Sequence, residues 1–498
     1  MRNADSLNIN ATTEQDKLAS AIHDEQIPLD IPTLFKQGIN FENTGKVQEA
    51  EATYREVLLQ EPSHRLALNQ LGNILFAQGR NFHAGELYED AVKFHPADTM
   101  SLVNLGNLLM KTKHPERANE LFEAALKIDP AYRPAHAGLS FSLAELGNTE
   151  RAKKHRAVAF HDHCIVPAPY RGANPPIIVL DMVSTLGGNV RSTEFMSDRV
   201  FKRFMMATEF YTDSTPLPEH HILVNSIGDV DVASEALANA EKVLVRSGAP
   251  YINHPAAVRA TDRCAIAERL TGVEYVVTAK TVLVPRELLM EDKVEHTLSE
   301  RGFAFPVLLR SPGFHGGDHF TKIDDAASIS AALAELPGDD LLVIEYLDAR
   351  GSDGRARKYR AMMVDGKLYP LHVAISPNWK IHYFSAEMEE SAENRAEDDA
   401  FLKDMAGVIG ERAVKGLDSI QRILGLDYGG IDFGLNDKGE VLLFEANATM
   451  AVVIPAADKK WDYRRPAVET IYKAVWTMLR DRAVECLKRK AMVAPAEA

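Results

Sequence analysis

A period of 34 residues runs through the first third of the chain. Gly38, Gly72 and Gly106 recur at that interval, and Ser140 continues the series. Twelve residues after each stand Ala50, Ala84, Ala118 and Ala152, and four further on stand Tyr54, Tyr88, Phe122 and Arg156. Pro62, Pro96 and Pro130 close the first three units, and Cys164 takes that place in the fourth. A repeat of this length is one supersecondary unit that cannot bury its apolar face alone, so neighbouring units must stack. Small residues let two helices cross closely, aromatics fill the gap between them, and proline stops the second helix. These demands predict a helical solenoid over residues 31–164.

The positions that recur in phase resemble the tetratricopeptide repeat. The fourth unit departs from it, because Arg156 stands where an aromatic belongs, and it reads as a degenerate closing unit. His161-Asp162-His163-Cys164 carries metal-capable side chains but reads as a helix end running into a linker. The resemblance implies a concave groove for a peptide or another protein. Asn69, Asn73, Asn104 and Asn107 lie on first helices. They either hydrogen-bond an extended peptide or sit on a solvated face.

The chain has 498 residues, enough for three or four domains. Its net charge of −15 gives a nucleic-acid partner no electrostatic support. Cys164, Cys264 and Cys486 form no CxxC pair, which argues against a disulfide framework or zinc site and for a reducing compartment. No secretory leader and no run of 18 apolar residues is present, so a cytoplasmic protein with no membrane partner is expected. Residues 1–30 read as a flexible lead-in and 488–498 as a frayed tail.

Residues 165–176 are Pro-rich and predict a linker. Beyond them the pattern changes to alternating strands and helices, which predicts a small α/β domain over 177–255. No GxGxxG follows its first strand; Gly187-Gly188 fits a tight turn. Late in the chain, Gly425–Met450 reads as two strands joined by Asn436-Asp437-Lys438-Gly439. With Leu435 opposite Glu440, Ile431 faces Phe444 and Phe433 faces Leu442 on an apolar face. Asp432 and Glu445 then become diagonal neighbours on the other face, beside Gly430 and Gly434, with Asn447 following. Two carboxylates and an amide oxygen suit a hard cation such as Mg²⁺.

From Asn253 onward the chain resembles the ATP-grasp superfamily, in its branch of carboxylate–amine ligases that includes the RimK-like and glutathione-synthetase-like enzymes. The motifs occur in order: Asp262-Arg263 at a helix start, a strand ending in Arg310, a Gly-rich loop with Gly313, Gly316 and Gly317, the strand LLVIEYLD, the strand with Lys358-Tyr359-Arg360, and the Asp432…Glu445-x-Asn447 hairpin. The fold implied is an N-terminal all-α solenoid, then a small α/β pre-grasp domain, then an ATP-grasp α+β domain over 256–487. The resemblance implies that Arg263, Arg310 and the glycine loop hold phosphates, that Glu345, Tyr346 and Leu347 meet adenine, and that Arg360 steadies the transferred phosphoryl. It also implies that Asp432, Glu445 and Asn447 hold magnesium, two ions, with Mn²⁺ as a substitute. Arg263 and Arg310 replace family lysines, keeping the charge and changing the geometry. Lys358 stands where the family often has an acid for the ribose; Asp353 is the alternative.

The activity implied is ATP-dependent ligation. A carboxylate is activated as an acyl phosphate and then attacked by an amine or other nucleophile, with the repeats recruiting a peptide or protein. A small-molecule kinase on the same fold is one alternative; a catalytically weak nucleotide-binding scaffold is another. Trp379, Lys380, His382, Tyr383 and Phe384 cluster after the Arg360 strand, and Lys380 and His382 are candidate catalytic contacts to substrate. The acidic run Glu387–Asp399 reads as a solvated helix face. Arg464 and Arg465 pair either with that run or with an anionic substrate.

Overall fold

The computed structural model describes residues 30–290, 294–314, 317–381 and 386–493. Except for Asp30, the expected lead-in lies outside them; Asp30 caps the first helix by accepting from Thr33 N at 2.8 Å. The expected frayed tail is helical as far as Val493. The chain divides into two compact units, Met1–Ala159 and Phe160–Ala498.

Among the described residues the first unit is eight helices in antiparallel pairs: α1 (Ile31–Asn43) with α2 (Val47–Gln60), α3 (Arg65–Ala77) with α4 (Asn81–Phe94), α5 (Thr99–Lys111) with α6 (Pro115–Ile128), and α7 (Arg133–Glu145) with α8 (Thr149–Phe160). The repeating glycines are where the aromatics sit. A Cβ on Gly38 would lie 2.6 Å from the Tyr54 ring, on Gly72 2.5 Å from Tyr88, and on Gly106 2.5 Å from Phe122. Ala50, Ala84 and Ala118 are fully buried at the crossings. Arg156, in the aromatic's place, is also buried. Three of the four asparagines serve the solenoid itself. Asn69 is buried, donating to Arg65 O and Ser101 Oγ and accepting from Asn104, while Asn73 accepts from Tyr88. Asn107 is exposed.

The second unit contains three sheets. The first has the order β1-β3-β2-β4-β5, built from β1 (Ile165–Pro167), β2 (Ile177–Val183), β3 (Phe201–Ala207), β4 (Ile222–Asn225) and β5 (Tyr251–Ile252). Its last four strands are parallel, and helix α9 (Val230–Ser247) follows β4. The expected linker is thus partly ordered, since β1 pairs antiparallel along the edge of β3. The second sheet, antiparallel throughout, has the order β7-β10-β8-β9: β7 (Thr281–Pro285), β8 (Val307–Arg310), β9 (Phe320–Ile323) and β10 (Asp340–Glu345).

The third sheet has the order β12-β11-β13-β14-β6, from β6 (Val276–Thr278), β11 (Ala356–Val364), β12 (Lys367–Ser376), β13 (Tyr428–Leu435) and β14 (Val441–Asn447). Strand alternation gives it two chemically distinct faces. Tyr359, Ile431 and Phe433 pack into a core with Phe401 and Leu417, which come from helices α10 (Ala392–Lys403) and α11 (Met405–Leu424). The other face carries Lys358, Arg360 and Asp432.

The β13–β14 register differs from the sequence expectation. Leu435 pairs with Val441, not Glu440, and the ladder shifts at Phe444, which has no single partner. A bulge puts two successive side chains on one face. Phe444 and Glu445 therefore both leave the core, and Asp432 pairs directly with Glu445 rather than diagonally. The acidic run is also corrected in part: within α10, Asp398 is fully buried. No helix among the described residues is long and apolar enough to cross a membrane.

Candidate active site

A cavity of about 350 Å³ is lined by residues of β8, β10, β11, β13 and β14, so it lies between the antiparallel sheet and the charged face of the third sheet. One part is apolar and aromatic, with Leu308, Ile344, Tyr346, Trp379 and Phe444. The β10 ladder ends at Glu345, and the next two residues, Tyr346 and Leu347, line the cavity. The Glu345 carboxylate accepts from Lys280 N at 3.1 Å. Trp379 meets Phe320 edge-on, ring centroids 5.5 Å apart, and Tyr346 at 6.4 Å.

The remaining lining is charged. Arg263, Arg310, Lys358, Arg360 and Lys380 stand against Glu345, Asp432 and Glu445, an excess of two positive charges. Asp432 is almost wholly buried. Arg360 Nε and Nη2 donate to its two oxygens at 2.5 and 2.7 Å, and Lys358 Nζ lies 3.2 Å away. Burial opposes its ionisation, but Arg360 and Lys358 outweigh burial and hold the carboxyl well below its usual range. Glu445 receives Arg263 Nη2 at 2.7 Å and Asn447 Nδ2 at 2.9 Å, both on Oε1. Burial again opposes ionisation, but Arg263 together with Arg310 and Arg360 outweighs it and lowers the pKa.

Arg310 differs from its neighbours. It ends β8, is only 7% exposed, and among the described residues forms no ion pair. Its Nη2 donates to Phe314 O, and its guanidinium lies 5.5 Å from the Phe320 ring centroid. Burial, and after it the Arg263 charge, push its pKa down to about 10. Glu445, Asp231 and Asp229 offset only part of this, and a buried cation with no ion pair among the described residues is costly to keep unless an anion arrives.

Of the predicted site residues within the described segments, all but Gly313 line this cavity, with different immediate partners from those expected. Lys358, expected near a ribose, is held by Asp432. Asp353 is exposed, pairs with Arg357 at 2.9 Å and does not line the cavity. Lys380 lies on the glycine loop. Its Nζ donates to Phe320 O at 3.1 Å, and its Cε would lie 2.9 Å from a Cβ at Gly317, where φ is 86°. Gly313 N donates to Asp231 at 3.4 Å. Gly316 and His382, with Tyr383 and Phe384, lie outside the described residues. Gly430 and Gly434 leave room for neighbours within the fold: added Cβ atoms would lie 2.9 Å from Met450 and 2.6 Å from Ala349. Arg464 Nε lies 3.7 Å from Asp398, so that arginine joins the acidic run, and Arg465 pairs with Asp462 at 2.9 Å.

His372 was not legible as a site residue. It pairs with Arg360 across the β11–β12 ladder and is buried. Burial, then Arg360 and Arg464, push its pKa well below the usual imidazole value, so it stays neutral beside the cations. A smaller chamber of about 70 Å³ is lined by Asp229, Asp231 and Thr261, and it shares Arg263, Glu445 and Asn447 with the cavity.

The three expected metal ligands differ in what they offer. Both Asp432 oxygens are engaged by Arg360. Asn447 Oδ1 accepts from Thr449 N at 3.0 Å and Thr449 Oγ1 at 2.9 Å. Among the described residues Glu445 Oε2 receives no hydrogen bond, whereas both Asp432 oxygens are taken. No group of three or more His, Cys, Asp or Glu side chains among the described residues is placed to hold an ion by itself.

Residues 35–99 and 100–132 match models of the tetratricopeptide repeat, so the helical N-terminal unit carries such repeats. No curated protein sequence is significantly similar to the chain. Similar solved structures include a crystal structure of MamA, 19% identical, covering 29% of this chain and 82% of that one with a TM-score of 0.26. MamA residues 41 to the end from Desulfovibrio magneticus RS-1 is 25% identical, covering 26% of this chain and 74% of its own, TM-score 0.25. The pilF protein of Pseudomonas aeruginosa is 21% identical, covering 29% and 67%, TM-score 0.26.

Proposed function

We propose that the C-terminal unit is an ATP-dependent ligase of the ATP-grasp kind, and that the repeats recruit its peptide or protein substrate or partner. The observation that carries this reading is Arg310: a buried cation with no ion pair among the described residues, beside Arg263, Lys358 and Arg360 in a cavity that also has an apolar and aromatic part. Such a cavity suits a polyanion joined to a flat ring. The aromatic part, bounded by the strand end at Glu345–Leu347, would take the base.

The charges suit phosphoryl transfer. A carboxylate oxygen of the substrate attacks the γ-phosphorus as the bond to the leaving ADP breaks. An amine then attacks the acyl carbon, phosphate leaves with the electrons of the carbon–oxygen bond, and the amine's proton passes to the departing phosphate or to water. Positioned guanidinium groups stabilise the charge developing on the equatorial oxygens without reorganising. Arg360 is fixed in orientation by Asp432, and Arg310 by Phe314 O. Magnesium, when bound at Glu445, would add charge neutralisation at the phosphates. The small chamber, lined by Asp229 and Asp231 and sharing Arg263 and Glu445, would offer carboxylates to the amine partner.

Turnover tests the reading. ADP and phosphate should appear only when a carboxylate and an amine are both supplied, across a panel of amino acids and peptides. ADP without free phosphate, with a stable phosphorylated product, would make the protein a kinase. Nucleotide binding without any turnover would make it a scaffold. Deleting residues 31–159 should weaken use of the peptide substrate and leave small amines unaffected; unchanged use of every substrate would refute the recruiting role.

A further inference from the structure

We propose that the site takes a single divalent ion, held by Glu445, and that Asp432 anchors the cations Arg360 and Lys358 rather than binding metal. This rests on the nucleotide reading above and concerns how that same site is neutralised.

The first argument is lone-pair bookkeeping. A carboxylate gripped bidentately by a guanidinium is among the stronger polar contacts in a protein. Asp432 has that grip from Arg360 at 2.5 and 2.7 Å, with Lys358 as a third donor at 3.2 Å. A metal ion there would have to displace the guanidinium and then sit beside two cations deprived of their counter-charge. Asn447 offers no more, because its carbonyl oxygen has two lone pairs and accepts two bonds from Thr449. Its Nδ2 braces Glu445 Oε1 instead. That leaves Glu445 Oε2 open among the described residues.

One open carboxylate oxygen is enough for magnesium of a particular kind. The ion keeps several waters and commonly takes one or two carboxylates, with substrate phosphates completing its octahedron. The second argument is charge. The lining carries two more positive than negative groups. A nucleoside triphosphate with one divalent ion carries about two negative charges, since each of its phosphates is largely ionised at neutral pH. With the nucleotide alone, one ion balances the cavity and a second would leave it positive. The extra cation at Lys358 does neutralising that another metal would otherwise supply.

The test uses the full chain with a non-hydrolysable ATP analogue and Mn²⁺ counted by electron paramagnetic resonance. One Mn²⁺ per chain is expected. Asp432→Asn should keep that ion, whereas Glu445→Gln should weaken it by roughly tenfold or more, since loss of even a partner that only orients a ligand costs about that much. Two bound ions per chain would overturn the proposal, and so would loss of Mn²⁺ in Asp432→Asn with retention in Glu445→Gln. Analogue binding with no Mn²⁺ would overturn it and leave the nucleotide reading standing. No analogue binding at all would overturn both. The wild-type count decides the matter even if a variant fails to fold.

Discussion

Arg310→Met should make the C-terminal unit more stable and its nucleotide binding weaker. Arg310 is 7% exposed and its pKa is pushed down to about 10. At about 1.4 kcal/mol per tenfold change in proton affinity, that depression corresponds to about 3 kcal/mol of unfavourable burial for the charged form. Methionine keeps most of the volume and removes the charge. It also gives up the bond to Phe314 O and the stacking on Phe320, together about 1.5 kcal/mol. The net gain of about 1–2 kcal/mol raises the unfolding temperature by about 2 °C or more. A charge-assisted contact to phosphate is worth about 1.5–3 kcal/mol, so ATP should bind about ten- to a hundredfold more weakly. Arg310→Lys should fall between the two, keeping the charge and losing the fork. Calorimetric unfolding without ligand and isothermal titration with ATP read the two effects. A Met variant that unfolds no higher than wild type and binds ATP equally well would refute the reasoning.

In the repeats, Gly106→Ala places a Cβ 2.5 Å from the Phe122 ring and should destabilise the first unit by about 1–2 kcal/mol, overpacking outweighing the gain in helix propensity. Thermal melts followed by circular dichroism read it, and an unchanged melt would sink the packing account. Asn69→Ala removes three hydrogen bonds and should cost about 1–3 kcal/mol, while Asn107→Ala, at an exposed position, should leave the melt unchanged. Asp398 is fully buried, and burial raises its pKa to about 6. Its folded-state pKa exceeds the unfolded value, so the stability it lends is complete at low pH and is lost as pH rises through about 6. Asp398→Asn should therefore gain on wild type between about pH 4 and about pH 7, by up to about 3 kcal/mol. Parallel pH profiles of the two unfolding midpoints would contradict that assignment.

Much of the architecture is written in local pattern. The 34-residue period, with glycine facing an aromatic sixteen positions on, is a packing rule that each unit repeats, so the helix pairs could be read one at a time. The turn at Asn436–Gly439 and the alternation of β11, β12 and β13 were legible for the same reason. The features that escaped depend on partners distant in sequence. The bulge at Phe444 follows from where β14 meets β13, and with the one-residue shift at the turn, Leu435 on Val441, it turns Asp432 and Glu445 from diagonal neighbours into a direct pair. Asn69 looks like a groove residue until Ser101 and Asn104 of the next repeat use its amide. Asp398 looks like one acid among many until Val373 N, Tyr463 and Arg464 surround it. The candidate site was legible as a set of residue types in order. Which of its carboxylates are committed to arginines was not, because ion pairs such as Arg263 with Glu445 span 182 positions.

The central claim is that cations in this cavity hold a polyphosphate, with the base in the aromatic part. Titration of the wild-type chain with ATP, ADP and AMP tests it most directly. Affinity should fall stepwise as phosphates are removed, and ATP binding should weaken with added salt. Equal affinity for ATP and AMP, or no binding of ATP at all, would contradict the account.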